Sequence, residues 1–262
     1  MAGPTLVLHN GPVIERVFRG LHHFARLCGS SSEGARVIEG DGVIAAIVPA
    51  APERAVVNSA VCQSADGMRA AYDEIAAAYE EIGATWTVWV RQDDAAAAEL
   101  LESRGHVLDA QPMGMVHEEL ASVERPSSEE LPEWTGDGDP TVVGPLNDRA
   151  YPFGTDSFTR TLRDPPGDNI HVYVASDDGD PVGCLLMTDH DDNSDVECVA
   201  VPPEARGRGI SGHLLGHALA DAAERGIRTS TLVSTALGYP VYERAGYRSF
   251  GQLQMWQRNS AA

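Results

Sequence analysis

The 262-residue chain carries 39 acidic residues against 19 basic ones, a formal net charge of -20; this opposes binding to nucleic acid or an anionic membrane and favours cationic partners such as protonated amines. Its 43% hydrophobic content supplies packed cores and excludes a disordered chain. No apolar run approaches the roughly 20 residues that span a bilayer, and the residues after Met1 do not resemble a secretory leader. The four cysteines, Cys28, Cys62, Cys184 and Cys198, lie outside any C-x-x-C pair or zinc-ligand spacing. The expectation is a cytoplasmic protein with reduced thiols and no metal.

In chain order, Met68 to Glu81 has helical spacing and Gly83 stops it. Thr85 to Val90 (TWTVWV) reads as a strand and Ala95 to Ser103 as a helix stopped by Gly105. A strand with Met113 and Met115 closes this unit. Glu124 to Asp139 is rich in Pro, Ser, Gly and acids without apolar periodicity, so it is expected to link two domains, 1–123 and 140–262. Beyond it, Val142 to Tyr151 and Ser157 to Leu162 read as short helices. Asn169 to Ala175 and Pro181 to Thr188 form a hairpin about an acidic turn, and Asp195 to Val201 is a third strand. An Arg/Gly loop leads into a helix from Ile210 to Arg225 that Gly226 stops. The chain ends in a strand (Thr229 to Ser234), a short helix (Tyr239 to Ala245) and a strand (Tyr247 to Trp256). Hairpins followed by alternating strands and helices predict an α+β (mixed α/β) fold, each half a mixed, mostly antiparallel sheet flanked by helices.

The loop Arg206-Gly207-Arg208-Gly209-Ile210-Ser211 sits between a strand and a helix N-terminus. Unpaired backbone N–H groups and the helix dipole favour an anion there, glycines permit close approach, and two arginines add charge and forked donors. Read as Gly207-x-Gly209-x-x-Gly212, the loop also matches a dinucleotide fingerprint. The next strand, however, ends in Val233-Ser234-Thr235 without the acid that would hold a ribose, and a Walker loop needs a lysine that this chain lacks.

The segment Val199 to Ser211 resembles the acyl-CoA pyrophosphate motif of the GNAT superfamily of N-acetyltransferases, with Ser211 where the family usually has Gly or Ala. Pro240-Val241-Tyr242-Glu243-Arg244-Ala245-Gly246-Tyr247 is similar to that family's Tyr-Glu-x-x-Gly-aromatic signature. The resemblance spans roughly residues 141 to 257. It implies acetyl-CoA as co-substrate and acetyl transfer to a primary amine by direct attack in a ternary complex. Arg206, Gly207, Arg208, Gly209, Ile210 and Ser211 would hold the pyrophosphate, and backbone groups of Val199 and Val201 the pantetheine arm. Tyr242, with an ordinary pKa of about 10, would protonate the departing thiolate. Ser234 at a strand end could donate to the cofactor. Glu197, two residues before Val199 on the same strand face, could take the amine proton directly or through water, with His171 and His190 as weaker candidates.

The order helix-Gly-strand-helix-Gly-strand recurs in both halves, with Glu102-Ser103-Arg104-Gly105-His106 paralleling Glu243-Arg244-Ala245-Gly246-Tyr247. The N-terminal half therefore resembles a degenerate second copy. Its region Asn58 to Gly67 has no basic residue, which implies a lost anion site and one active site per chain. The expected partner is a small-molecule or peptide amine, with the chain a monomer or homodimer. The rival functions are non-catalytic acyl-CoA binding and, more weakly, an NAD(P)-dependent oxidoreductase.

Overall fold

A computed structural model describes residues 11–127, 133–151, 153–167 and 169–259. The leader reading at Met1 and part of the 124–139 reading fall outside them. Two segments that the sequence reading passed over come first. Helix α1 (Gly11–Cys28) is amphipathic and buries Val17, Phe18, Phe24, Ala25, Leu27 and Cys28, at spacings that fall on one helix face. It is followed by strands β1 (Arg36–Gly40), β2 (Val43–Ile47) and β3 (Ser59–Cys62). Next come α2 (Ala65–Glu81), β4 (Thr85–Arg91), α3 (Ala95–Ser103), β5 (Val107–Ala110) and β6 (Met113–His117). Gln111-Pro112 separates β5 from β6, because proline cannot donate to the ladder.

The expected linker is not structureless throughout. It contains edge strand β7 (Glu133–Thr135), paired with β8, and Arg125 reaches Asp221 (2.5 Å) and Glu224 (2.8 Å) on a later helix. The second half then runs α4 (Val143–Ala150), α5 (Ser157–Thr161), β8 (Ile170–Asp177), β9 (Asp180–His190), β10 (Asn193–Ala200), α6 (Ile210–Glu224), β11 (Thr229–Ser234), α7 (Tyr239–Arg244) and β12 (Arg248–Asn259). The elements expected between 142 and 256 are all present with boundaries shifted by a few residues. The fold is the expected mixed α/β one, a mixed sheet flanked by helices.

The strands form one sheet in the order β1-β2-β3-β4-β12-β6-β11-β10-β9-β8-β7, with β5 pairing β12 to the side. The order is symmetric about the β12–β6 contact. On either side a parallel pair (β3 with β4, β10 with β11) is followed by antiparallel hairpin strands. One expectation needs correction here: the strand with Met113 and Met115 does not close its own unit. It pairs β11 of the second half, while residues 253–259 of β12 pair β4 of the first. The halves exchange their last strands, so neither completes its sheet alone. Strand alternation specifies which face is buried but not which strand lies alongside.

Three apolar clusters follow from this arrangement. One lies between the sheet and α2/α3, and one between the sheet and α6. The third is on the opposite face, where α1 packs across strands of both halves and meets residues of α4 and α5. Burying side chains such as Phe18, Phe24 and Leu27 contributes about 1.5–3 kcal/mol each, and α1 spends that energy clamping both halves.

Candidate active site

Strands β10 and β11 pair in parallel from Asn193 with Thr229 to Val196 with Leu232, and then part. The cause is local. The register of β10 against β9 shifts between Glu197 and Ala200, and Cys198 takes φ +48°, a backbone region that non-glycine residues rarely adopt. Past the bulge the Tyr151 hydroxyl donates to the Val199 carbonyl at 3.1 Å. A 3-10 turn (Pro203–Ala205) then lifts the chain to Arg206.

Gly207 and Gly209 both have φ +77°, and Gly209 is the N-cap of α6. The helix ladder starts with the His213 N–H donated to the Gly209 carbonyl (3.0 Å), so the N–H groups of the first turn point to the helix end unbonded by the ladder. A Cβ built at Gly207, Gly209 or Gly212 would meet nothing within 4 Å. The glycines therefore border open space. That space is a cavity of about 570 Å³ between the parted strands, lined among others by Val199, Val201, Gly207, Gly209, Ser211 and Tyr242.

The sequence-selected residues divide into groups. Val199, Val201, Arg206, Gly207, Gly209, Ile210, Ser211 and Tyr242 line the cavity. Arg206 is also a structural clamp: its Nε donates to the Val201 carbonyl (3.0 Å) and Nη2 to the Ala150 carbonyl (2.6 Å), tying the parted strand to the end of α4. Its fork is thus partly committed to the protein. Arg208 is outside the lining and grips Asp177 with two bonds (2.5 and 2.9 Å), which hold the Asp177 carboxyl below its usual range.

Tyr242 packs against Tyr247 edge to face, ring centroids 6.0 Å apart. Burial pushes its hydroxyl well above the usual tyrosine pKa, with Tyr151 and Cys198 adding to the effect. It stays a proton donor across neutral pH. Ser234 is outside the lining, and its hydroxyl donates to the Thr235 carbonyl (2.8 Å).

Glu197 is not in the lining. It is half-buried on β10 within electrostatic reach of Cys28 of α1, and desolvation, and then the charge of Asp195, push its carboxyl well above the usual range. That is the direction a general base working near neutral pH requires. His171 bonds Asp189 (3.0 Å) and His190 bonds Asp195, so both imidazoles have carboxylate partners of their own.

Sequence reading missed Tyr151, which lines the cavity and holds Val199, and Leu237 at the rim, 66% exposed. Tyr151 read only as a helix end, and nothing local signals its reach across 48 positions.

Among the described residues of the first half, β3 and β4 do not part in the same way. Strand β3 pairs β4 along its full length, and Cys62, the last residue paired, is followed by α2 at Ala65; in the second half Val196 is the last paired residue and α6 begins only at Ile210. The α2 N-terminus is also filled from within. Ser64 Oγ accepts the Gly67 N–H (3.2 Å), the Gly42 carbonyl accepts from Gln63 and Ser64, and a Cβ on Gly67 would lie 1.7 Å from the Asp41 carbonyl oxygen.

Residues 168–249 match the sequence profile of the acetyltransferase (GNAT) domain family. Comparison with curated proteins found no match. Among solved structures, the chain is similar to a GCN5-related N-acetyltransferase from Kribbella flavida (15% identity, 93% of this chain and 96% of that one, TM-score 0.65). It is also similar to one from Sphaerobacter thermophilus (18% identity, 94% of each chain, TM-score 0.54). A third likeness is to a tandem GNAT protein from the clavulanic acid biosynthesis pathway (14% identity, 84% and 79% of the chains, TM-score 0.56). At these identities the structural likenesses speak for the fold.

The matched segment and the fold indicate acyl transfer from an acyl-CoA. The second half carries a segment of the GNAT domain family, and such a domain indicates an N-acyltransferase. Among the described residues no helix is long and apolar enough to cross a membrane.

Proposed function

We propose that the protein transfers an acetyl group from acetyl-CoA to a primary amine by direct attack in a ternary complex, at one site per chain. The first-turn N–H groups of α6 and the Arg206 to Ser211 loop bind the pyrophosphate, and backbone groups of Val199 and Val201 bind the pantetheine arm. Glu197 takes the amine proton and Tyr242 returns one to the thiolate. The first half, residues 1–123, is a degenerate GNAT-like domain joined through 124–139 to the catalytic one, 140–262.

The observation that carries this reading is the cavity itself, which joins an open helix N-terminus to the parted strands and has a protonated tyrosine in its wall. The closed α2 N-terminus supports a single site. The net charge of -20 supports a cationic acceptor.

A second reading, acyl-CoA binding without turnover, draws support from the position of Glu197 outside the cavity lining. Release of free coenzyme A from acetyl-CoA across a panel of amines, amino acids and peptides separates the two. Acetyl transfer predicts amine-dependent release, whereas tight acetyl-CoA binding with no release for any amine selects the second reading.

A further inference from the structure

The loop 48–58 between β2 and β3 is knotted by the buried Asn58, whose Oδ1 accepts the Val48 N–H and whose Nδ2 donates to the Ala51 carbonyl, both at 2.8 Å. It meets the second half at α5, where Arg160 donates to the Ala50 carbonyl and pairs with Glu53. Ala51 and Val57 of the loop join the apolar cluster of Leu146 and Phe158, with Tyr151 and Cys198 packed against it. From β3 to β10 the pairings are parallel, antiparallel three times, then parallel, so the two strands run in opposite directions. The residues entering β3 and those leaving β10 past its bulge therefore lie at one end of the sheet.

Arg54 of this loop has its Cζ 3.3 Å from the ring centroid of Phe153 and 5.5 Å from that of Phe158. Phe153, 61% exposed, stands two residues beyond Tyr151 of the cavity wall. A ring stacked on the guanidinium face leaves the in-plane N–H fork free for a planar anion. Among the described residues that fork has no ion pair and no hydrogen bond, and its Nε is buried without a partner. The carboxylates within electrostatic reach are engaged elsewhere. Asp148 accepts from the Phe158 and Thr159 N–H groups (3.0 and 2.9 Å) and from Thr159 Oγ1 (2.8 Å), and Glu53 pairs with Arg160. The other arginines without an ion pair differ: Arg163, Arg228 and Arg244 are exposed, and Arg206 bonds carbonyls. Burial lowers the Arg54 pKa to about 10, so at neutral pH it is a half-buried cation without a counter-ion, a costly state unless a partner completes it.

We propose that Arg54 binds a carboxylate of the acceptor, so that the amine acetylated is an amino acid rather than a simple cationic amine. The assignment rests on the acetyl-transfer reading. The phosphates of coenzyme A belong to the α6 N-terminus, so an anion at Arg54 comes with the acceptor. An amine that attacks a thioester between the parted strands approaches from the face that α6 and α7 leave free. That is the face of α4, α5 and the 48–58 loop. The fork takes the carboxylate with two parallel N–H···O bonds while Phe153 backs the guanidinium. Such a zwitterion keeps the ammonium that the net charge of -20 attracts and adds an anion that a local cation holds.

Fastening the two halves together would not require this cation. Arg160 already ties the loop to α5, and an apolar side chain would pack against Phe153 and Phe158 without the cost of desolvating a charge.

The test compares L-amino acids with their α-carboxamides, which match them in shape and lack the charge, on the full chain as wild type, Arg54→Gln and Arg54→Lys. In steady-state coenzyme A release, the wild type should show about tenfold or higher kcat/KM for its best amino acid over the matching amide. Folded Arg54→Gln should lose that preference through a raised KM for the acid, with KM for acetyl-CoA unchanged, and Arg54→Lys should keep part of it. Titration calorimetry of the same pairs with coenzyme A present reads the preference without turnover. A wild type that distinguishes no acid from its amide, or responds to neither, overturns the assignment, as does a preference undiminished in Arg54→Gln. Arg54-dependent binding of acids without coenzyme A release for any amine would support the carboxylate site while counting against acetyl transfer.

Discussion

Helix α6 contains two glycines for which the structure predicts opposite responses to the same substitution. Gly212→Ala and Gly216→Ala each gain helix propensity, up to about 1 kcal/mol and less near the N-terminus. At Gly212 the new methyl meets nothing within 4 Å, whereas at Gly216 it would lie 2.4 Å from Pro126 Cγ and 3.0 Å from Cδ. Pro126 belongs to the segment that Arg125 fastens to Asp221 and Glu224. Overpacking of this kind costs about 1–3 kcal/mol, enough to cancel or reverse the gain. At roughly 2–4 °C per kcal/mol for chains near this size, Gly212→Ala should melt slightly above wild type and Gly216→Ala several degrees below Gly212→Ala. Calorimetry of the apo variants measures this directly. Comparing the two variants largely removes the propensity contribution and leaves the proline contact. Equal upward shifts would show that the connecting segment does not rest on α6 as described.

Three further outcomes are expected. Tyr242→Phe should lower kcat about 10- to 100-fold with KM for acetyl-CoA and the apo melting temperature nearly unchanged, as steady-state coenzyme A release and calorimetry would show. His106 bonds Tyr72 (3.0 Å) and the Trp256 carbonyl (3.1 Å), and burial lowers its pKa to about 4; a base with a depressed folded pKa contributes stability above its unfolded value of about 6.5 that is lost as pH falls toward 4. Urea midpoints from pH 7 to 4.5 should therefore drop more steeply in wild type than in His106→Asn, by up to about 3 kcal/mol. Asp177→Asn frees Arg208 from an exposed pair and should tighten acetyl-CoA binding a few-fold while leaving the melting temperature nearly unchanged, read by titration calorimetry and thermal melting.

The second half was legible because its signals are local. Glycines with positive φ at Gly207, Gly209 and Gly226, an acidic turn at Asp177 to Asp180 and apolar periodicity in α6 each set the structure where they stand. Other features depend on distant partners. The exchange of β6 and β12 turns on which of several similar strands lies alongside. Arg206 has its fork engaged by carbonyls of residues 150 and 201, and Glu197 is half-buried within electrostatic reach of Cys28 on a helix more than 160 positions earlier. Motif chemistry located the cavity; only the packed chain shows that one arginine is also a strut and that the acid stands outside the cavity lining.

Titration calorimetry of the full chain with acetyl-CoA, alongside NADH and NADPH, tests the central claim most directly. The account predicts one acetyl-CoA bound per chain, affinity reduced about tenfold or more by Gly209→Val, which fills the cradle and strains a φ of +77°, and no comparable heat from either nicotinamide cofactor. Two sites per chain, no acetyl-CoA binding by the folded wild type, or undiminished affinity in folded Gly209→Val would contradict it.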